Sequence, residues 1–256
     1  MTVREIYEMI DRIAPFSSQE EWDNSGLLVG SPADSVSGVL FALDVTDPVI
    51  GEARSLGASL IVAHHPVMFT PLRKITDEDR EGRLISSLIR NGISLIAAHT
   101  NLDRVSGGMN DILASRCGLS DISGEDFFRS GLLPEPLRVA DYVPRLANAL
   151  SCTVRVMGSS DRIVRQIGVC SGGGGDYWHS ALAAGCDAFV TGEMKHHLAL
   201  DAADAGIVVF ECGHFATEEP GIRALAETLQ MSVNRLEYNL RVFVSKIPAY
   251  SFSQQP

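Results

Sequence analysis

The chain has 256 residues, 45% hydrophobic and 21% charged, the balance of a soluble globular protein with room for one large or two small domains. Its 21 Lys and Arg against 32 Asp and Glu leave a net charge of −11, which argues against nucleic acid or an anionic membrane as partner. Cys117, Cys152, Cys170, Cys186 and Cys212 form no C-x-x-C pair and read as packed thiols of a reducing compartment, not a disulfide framework.

The first residues are amphipathic and charged, and no apolar run approaches the ~20 residues of a membrane span, so a cytoplasmic location is expected. Thr2 and Glu5 form a capping box that opens a helix with apolar residues at Val3, Ile6, Ile10 and Ile13, stopped by Pro15. A loop carrying Glu21-Trp22-Asp23-Asn24 leads to a buried strand over 38–43. Asp47-Pro48 opens a helix that Gly57 ends. Strand 59–63 runs into His64-His65, helix 81–90 closes at Asn91-Gly92, and strand 93–98 runs into His99. The order then recurs. Strand 166–170 meets Gly172–Gly175, a helix over 176–184 stops at Gly185, and strand 187–190 precedes Gly192-Glu193 and His196-His197. A short helix ends at Gly206, and strand 207–211 leads to His214.

Strands alternating with helices indicate an α/β fold with largely parallel sheets flanked by helices. The halves look like copies. Ala53-x-x-x-Gly57 with its following strand mirrors Ala181-x-x-x-Gly185, and Gly92-Ile93 through His99-x-x-x-Asp103 mirrors Gly206-Ile207 through His214-x-x-x-Glu218. The expected division is 1–126 and 127–256, with a seam of irregular chain near Pro134 and Pro136, a metal site between the halves, and interwinding of the two as the alternative.

His64, His65, His99 and His214 all fall at carboxyl ends of strands, where parallel sheets present their ligand-binding loops. A carboxylate four residues beyond His99 or His214 shares its face if the chain turns helical there. Four imidazoles with Asp103 and Glu218 suit two divalent ions in a hydrolytic pair. Glu193 and His196 are candidates for proton transfer; for Glu193 a turn role, and for His196-His197 a plain helix-surface position, are the competing readings. His179 lies inside a helix and takes no role. The Gly172–Gly175 run fits neither nucleotide-binding glycine pattern, and a flexible turn competes with a phosphate loop.

The stretches Glu21–Leu27, Ala63-His64-His65-Pro66, His99-Thr100-Asn101-Leu102-Asp103, Thr191-Gly192-Glu193 and Gly213–Glu218 continuing to Gly221-Ile222 together resemble the GTP cyclohydrolase I type 2 homologue family, also called Nif-three-like, in its short form. The resemblance implies a duplicated α/β fold assembled as a homohexamer. It implies that His64, His65, Asp103, His214 and Glu218 ligate two divalent ions, iron, zinc or manganese, with His99 close by. A metal-dependent hydrolase acting on a small molecule such as a nucleotide is the leading expectation. A non-enzymatic metal-containing scaffold or regulatory protein, and a di-iron redox protein, are the alternatives.

Overall fold

The computed structural model describes residues 1–247. Two compact units divide the chain: the first takes 1–105 and the segment from Ile222 onward, the second takes 106–221. This differs from a split at 126/127. The physical reason is strand pairing: the C-terminal strand β11 (Arg241–Val244) lies parallel to β2 (Gly38–Ala42) of the first unit, and the strand Ser120–Ser123 pairs with Arg129–Arg138 of the second.

The first unit opens with α1 (Val3–Ile13), whose capping box is formed: Thr2 Oγ1 accepts from the Glu5 N–H at 3.3 Å and Glu5 Oε2 accepts from the Thr2 N–H at 2.7 Å. Then come β1 (Gly26–Val29), β2, α2 (Asp47–Leu56), β3 (Leu60–Ala63), α3 (Arg80–Arg90), β4 (Ser94–Ala97) and the short α4 (Thr100–Arg104). The five-stranded sheet has the order β1-β4-β3-β2-β11, parallel except for β1. One face packs Leu40, Ile61 and Leu95 against Ile50 of α2 and Leu84 and Leu88 of α3. Val39, Phe41, Leu60 and Val62 are fully buried as well. Burial on both faces is why these strands read as unbroken apolar runs.

The second unit contains α5 (Met109–Arg116), β5 (Ser120–Ser123), β6 (Arg129–Arg138), α6 (Val139–Leu150), β7 (Arg155–Met157), β8 (Ile163–Cys170), α7 (Trp178–Ala183), β9 (Ala188–Thr191), α8 (His196–Asp204) and β10 (Val208–Glu211). Its sheet order is β5-β6-β8-β9-β10-β7, with β8, β9 and β10 parallel and the flanking strands antiparallel. The expected irregular seam is in fact β6. Pro134 and Pro136, which lack the N–H a ladder needs, sit where the β6–β8 register shifts between Leu132 and Leu137. The last helix, α9 (His214–Arg235), holds the 221/222 boundary within it. Among the described residues no helix is long and apolar enough to cross a membrane.

The duplication is visible in topology. Each unit carries a helix, an antiparallel edge strand, and then a β-α-β-α-β run; the resulting orders β1-β4-β3-β2 and β7-β10-β9-β8 correspond strand for strand. Equivalent turns use equivalent left-handed glycines, Gly57 (φ 67°) and Gly185 (φ 75°). The ladders also fix which residues correspond. Ala63 pairs with Ala97 in one unit and Thr191 with Glu211 in the other. His64 is therefore the counterpart of Gly192, His65 of Glu193, and His99 of Gly213. The two His-x-x-x-acid motifs are offset by one residue: His99 and Gly213 each immediately precede a helix, so His214 is the counterpart of Thr100 and Glu218 of Arg104.

Candidate metal centre

In the first unit, three imidazoles converge where β3 and β4 end. His64 and His65 follow β3, and their N–H groups donate to the carbonyls of Ala42 and Leu43 at the end of β2, which pins the turn. His99 follows β4 and precedes α4. Its carbonyl accepts from the Leu102 N–H (2.8 Å) and the Asp103 N–H (3.1 Å), so Asp103 lies one helical turn on. The ring centroids of His64, His65 and His99 are 4.9–5.5 Å apart, and ligand atoms of all three lie within 4.8 Å of one another. His64 is fully buried, and its Nε2 is 3.5 Å from the buried Asp103 Oδ1.

What stands behind each ring is as informative as the ring itself. Nδ1 of His64 is 2.8 Å from the Ala98 carbonyl, Nδ1 of His65 is 2.8 Å from Asp44 Oδ1, and Nδ1 of His99 is 2.8 Å from Asp23 Oδ1. All three partners accept, so each imidazole donates through Nδ1, which in the neutral ring leaves the lone pair on Nε2. An outer hydrogen bond that fixes tautomer and ring orientation is the usual backing of a metal-ligating histidine. This donor set, three oriented imidazoles with a carboxylate alongside, fits a borderline divalent cation.

Asp23 is a junction. Its carboxylate also accepts from the Thr100 N–H (3.1 Å), Thr100 Oγ1 (2.5 Å), Ser25 Oγ (3.0 Å) and the Asn24 N–H (2.7 Å). Burial pushes its pKa upward, but the hydrogen bonds from His99 and Thr100 and the charge of His99 outweigh that and hold it far below the ordinary carboxylate range.

In the second unit, His214 starts α9, with Glu218 one turn on. His214 Nε2 is 3.1 Å from the buried Glu218 Oε2, and its Nδ1 is 3.3 Å from Glu193 Oε2. The glycine run packs against this pair. The Gly172 N–H donates to Thr217 Oγ1 at 3.0 Å, and its carbonyl accepts from the Glu193 N–H at 2.8 Å. Gly172 has φ 56°, and a Cβ there would overlap Glu218 Oε1. The run thus serves close approach, and neither a phosphate loop nor a merely flexible turn describes Gly172.

The remaining sequence candidates fall outside these groups. His196 and His197 are exposed on the first turn of α8, and neither joins a set of three or more donors close enough to share an ion among the described residues. His179 is exposed with its ring 3.8 Å from Trp178. Asp44, missed in the sequence, was detectable in principle as a carboxylate two residues past the end of β2, beside the strand that delivers His65.

Fold and site define a duplicated α/β protein whose strand ends carry residue groups able to hold a metal ion. The comparisons make the class specific: the chain belongs to the DUF34/NIF3 (NGG1p interacting factor 3) family, whose model matches residues 1–249. It is 33% identical to the "GTP cyclohydrolase 1 type 2 homolog" of Clostridium perfringens, covering 96% of this chain and 97% of that protein. A like-named protein of Streptomyces coelicolor is 34% identical over 94% of this chain and 90% of its own. Among solved structures, a hypothetical protein of Staphylococcus aureus superposes with TM-score 0.94 at 28% identity, covering 100% of this chain and 99% of that one. The protein titled "Reduced HcgD" from Methanocaldococcus jannaschii gives TM-score 0.82 at 25% identity, covering 96% and 98%.

Proposed function

We propose that this protein is a metal-dependent hydrolase, holding two divalent ions with His64, His65, Asp103, His214 and Glu218 as ligands and His99 beside them. The observation that carries the reading is the anchoring of three clustered imidazoles through Nδ1, which a merely packed histidine trio does not need. Ions held there supply Lewis acidity and an activated water for attack on an electrophilic carbon or phosphorus centre. The names of the relatives support opening of a purine ring as the reaction to test first.

The chain's own residues take definite parts in this proposal. Asp44 and Asp23 hold the rings of His65 and His99 in the ligating tautomer. Glu193, beside His214 and largely open to solvent, accepts and returns a proton, with His196 as the second candidate for that role. The test is elemental analysis of natively purified full-length protein and of Asp103→Ala and Glu218→Ala, followed by turnover of GTP with iron, zinc and manganese. Metal lost in both variants and hydrolysis with one metal support the reading. Unchanged metal in both variants overturns the ligand set, and inactivity with every metal favours a metal-containing scaffold.

A further inference from the structure

Two aromatic side chains stand out beside the first-unit cluster because they are exposed while their surroundings are fixed. Trp22 is 60% exposed and Phe69 45% exposed. Their ring centroids lie 6.4 Å apart with a 35° tilt, and His99 stands edge-on to both, 5.9 Å from Trp22 and 5.6 Å from Phe69. The three rings form a triangle with a cluster imidazole at one corner.

The loops carrying them are tied down rather than loose. Next to Trp22, Asp23 makes the contacts to His99, Thr100 and Ser25 described above. Asn24 Nδ2 donates to the Met68 carbonyl at 2.9 Å, which links the Trp22 loop to the residue preceding Phe69. The Asp23 and Asn24 side chains are thus directed inward, and the indole is presented to solvent. Exposed apolar surface held in place beside a reactive cluster marks a binding surface.

We infer that Trp22 and Phe69 form a stacking platform for a planar heteroaromatic ring, such as a nucleobase, delivered to the cluster beside His99. The inference deepens the metal-site reading of these histidines and rests on it. Area decides between occupants. With aromatic side chains of about 200 Å² each, the exposed fractions leave on the order of 200 Å², enough for one flat ring. A second copy of the chain would need ~800 Å² per partner for a stable contact. Aromatic faces accept any flat base, so the platform selects for a ring and leaves discrimination between rings to other contacts. A ring seated there lies beside His99, whose centroid is 5.0 Å from that of His64 and 5.5 Å from that of His65.

The test uses the full-length protein and its Trp22→Leu, Phe69→Leu and Trp22→Phe variants. Binding of guanosine, and of ribose as a ring-less control, is measured by calorimetry, with elemental analysis and light scattering on the same samples. Guanosine is expected to bind where ribose does not. Each leucine variant should weaken it by about tenfold or more, and Trp22→Phe should recover most of the loss. Metal content and mass should be unchanged throughout. Wild-type guanosine affinity in both leucine variants overturns the platform, as does a wild-type protein that binds no guanosine. A fall in mass in the leucine variants overturns it in favour of a contact between copies. Guanosine binding that depends on Trp22 in samples free of metal supports the platform while sinking the metal reading, so the two can fail separately.

Discussion

Replacing Asp44 by alanine separates the ligand role of the cluster from its structural role. Asp44 reaches the cluster through one contact, Oδ1 to His65 Nδ1 at 2.8 Å. Without that acceptor the His65 ring no longer prefers the tautomer with its lone pair on Nε2. Loss of such an outer partner lowers metal affinity by about 10- to 100-fold, or about 1.4–2.8 kcal/mol. The two side chains are 19% and 26% exposed, so the contact is a largely buried hydrogen bond that adds on the order of 1 kcal/mol to folding. Zinc affinity of Asp44→Ala, measured by competition with a chromophoric chelator, should fall by that factor, while the urea midpoint of the metal-free protein shows a loss on the order of 1 kcal/mol. Asp44→Asn, whose amide oxygen still accepts, should fall between the two. An Asp44→Ala affinity within about twofold of wild type, short of the tenfold floor, would refute the argument from outer hydrogen bonds. A large loss of metal-free stability would equally show that the contact is structural.

Gly172→Ala should lose both stability and metal. The left-handed backbone costs an alanine about 1–2 kcal/mol, and its Cβ displaces the Glu218 carboxylate; a wild-type urea midpoint with full metal content would contradict this. Native protein treated with iodoacetamide near neutral pH should be labelled first at Cys152, whose thiol is half-buried and lowered by its hydrogen bond to Cys212. Burial pushes Cys117 to about 12 and Cys186 to about 11, so peptide mass spectrometry finding either modified ahead of Cys152 would reverse the order. Thr2→Ala removes the capping box of α1 and should destabilise the protein by about 1 kcal/mol, read as a lower urea midpoint with unchanged slope.

The elements legible in the sequence were those whose signals are local. The Thr2–Glu5 box, the Asp47-Pro48 start and the glycine stops at 57 and 185 each depend on a few adjacent residues, and each sits where its chemistry places it. The strands with both faces covered were legible because every position is apolar. What stayed hidden depended on distant partners. β1, β7 and β11 are three or four residues long and exist through pairing with β4, β10 and β2. β6 was masked by its two prolines. His64, His65 and His99 were readable as strand-end residues, but their anchoring was not, because Asp23 and Ala98 meet their histidines across 76 and 34 residues of chain.

The duplicated frame clarifies why the two clusters differ in kind. One architecture delivers a pair of residues past its middle strand, His64-His65 in the first unit and Gly192-Glu193 in the second. In the first unit both are imidazoles, and the third comes from the next strand end. In the second, the glycine is forced by packing: a Cβ at Gly192 would press on the Gly172 carbonyl, Thr217 Oγ1 and the His214 backbone. The imidazole of this cluster comes from the next strand end, one residue later than in the first unit. Gly213, at the position of His99, carries no side chain, and the residue that meets Glu193 is His214. The acid four residues on shifts with it, so Glu218 takes the role and Thr217, the true counterpart of Asp103, becomes the hydroxyl that holds Gly172. A one-residue offset of the His-x-x-x-acid motif along an equivalent helix start thus gives the second cluster a different composition without altering the sheet that supports it.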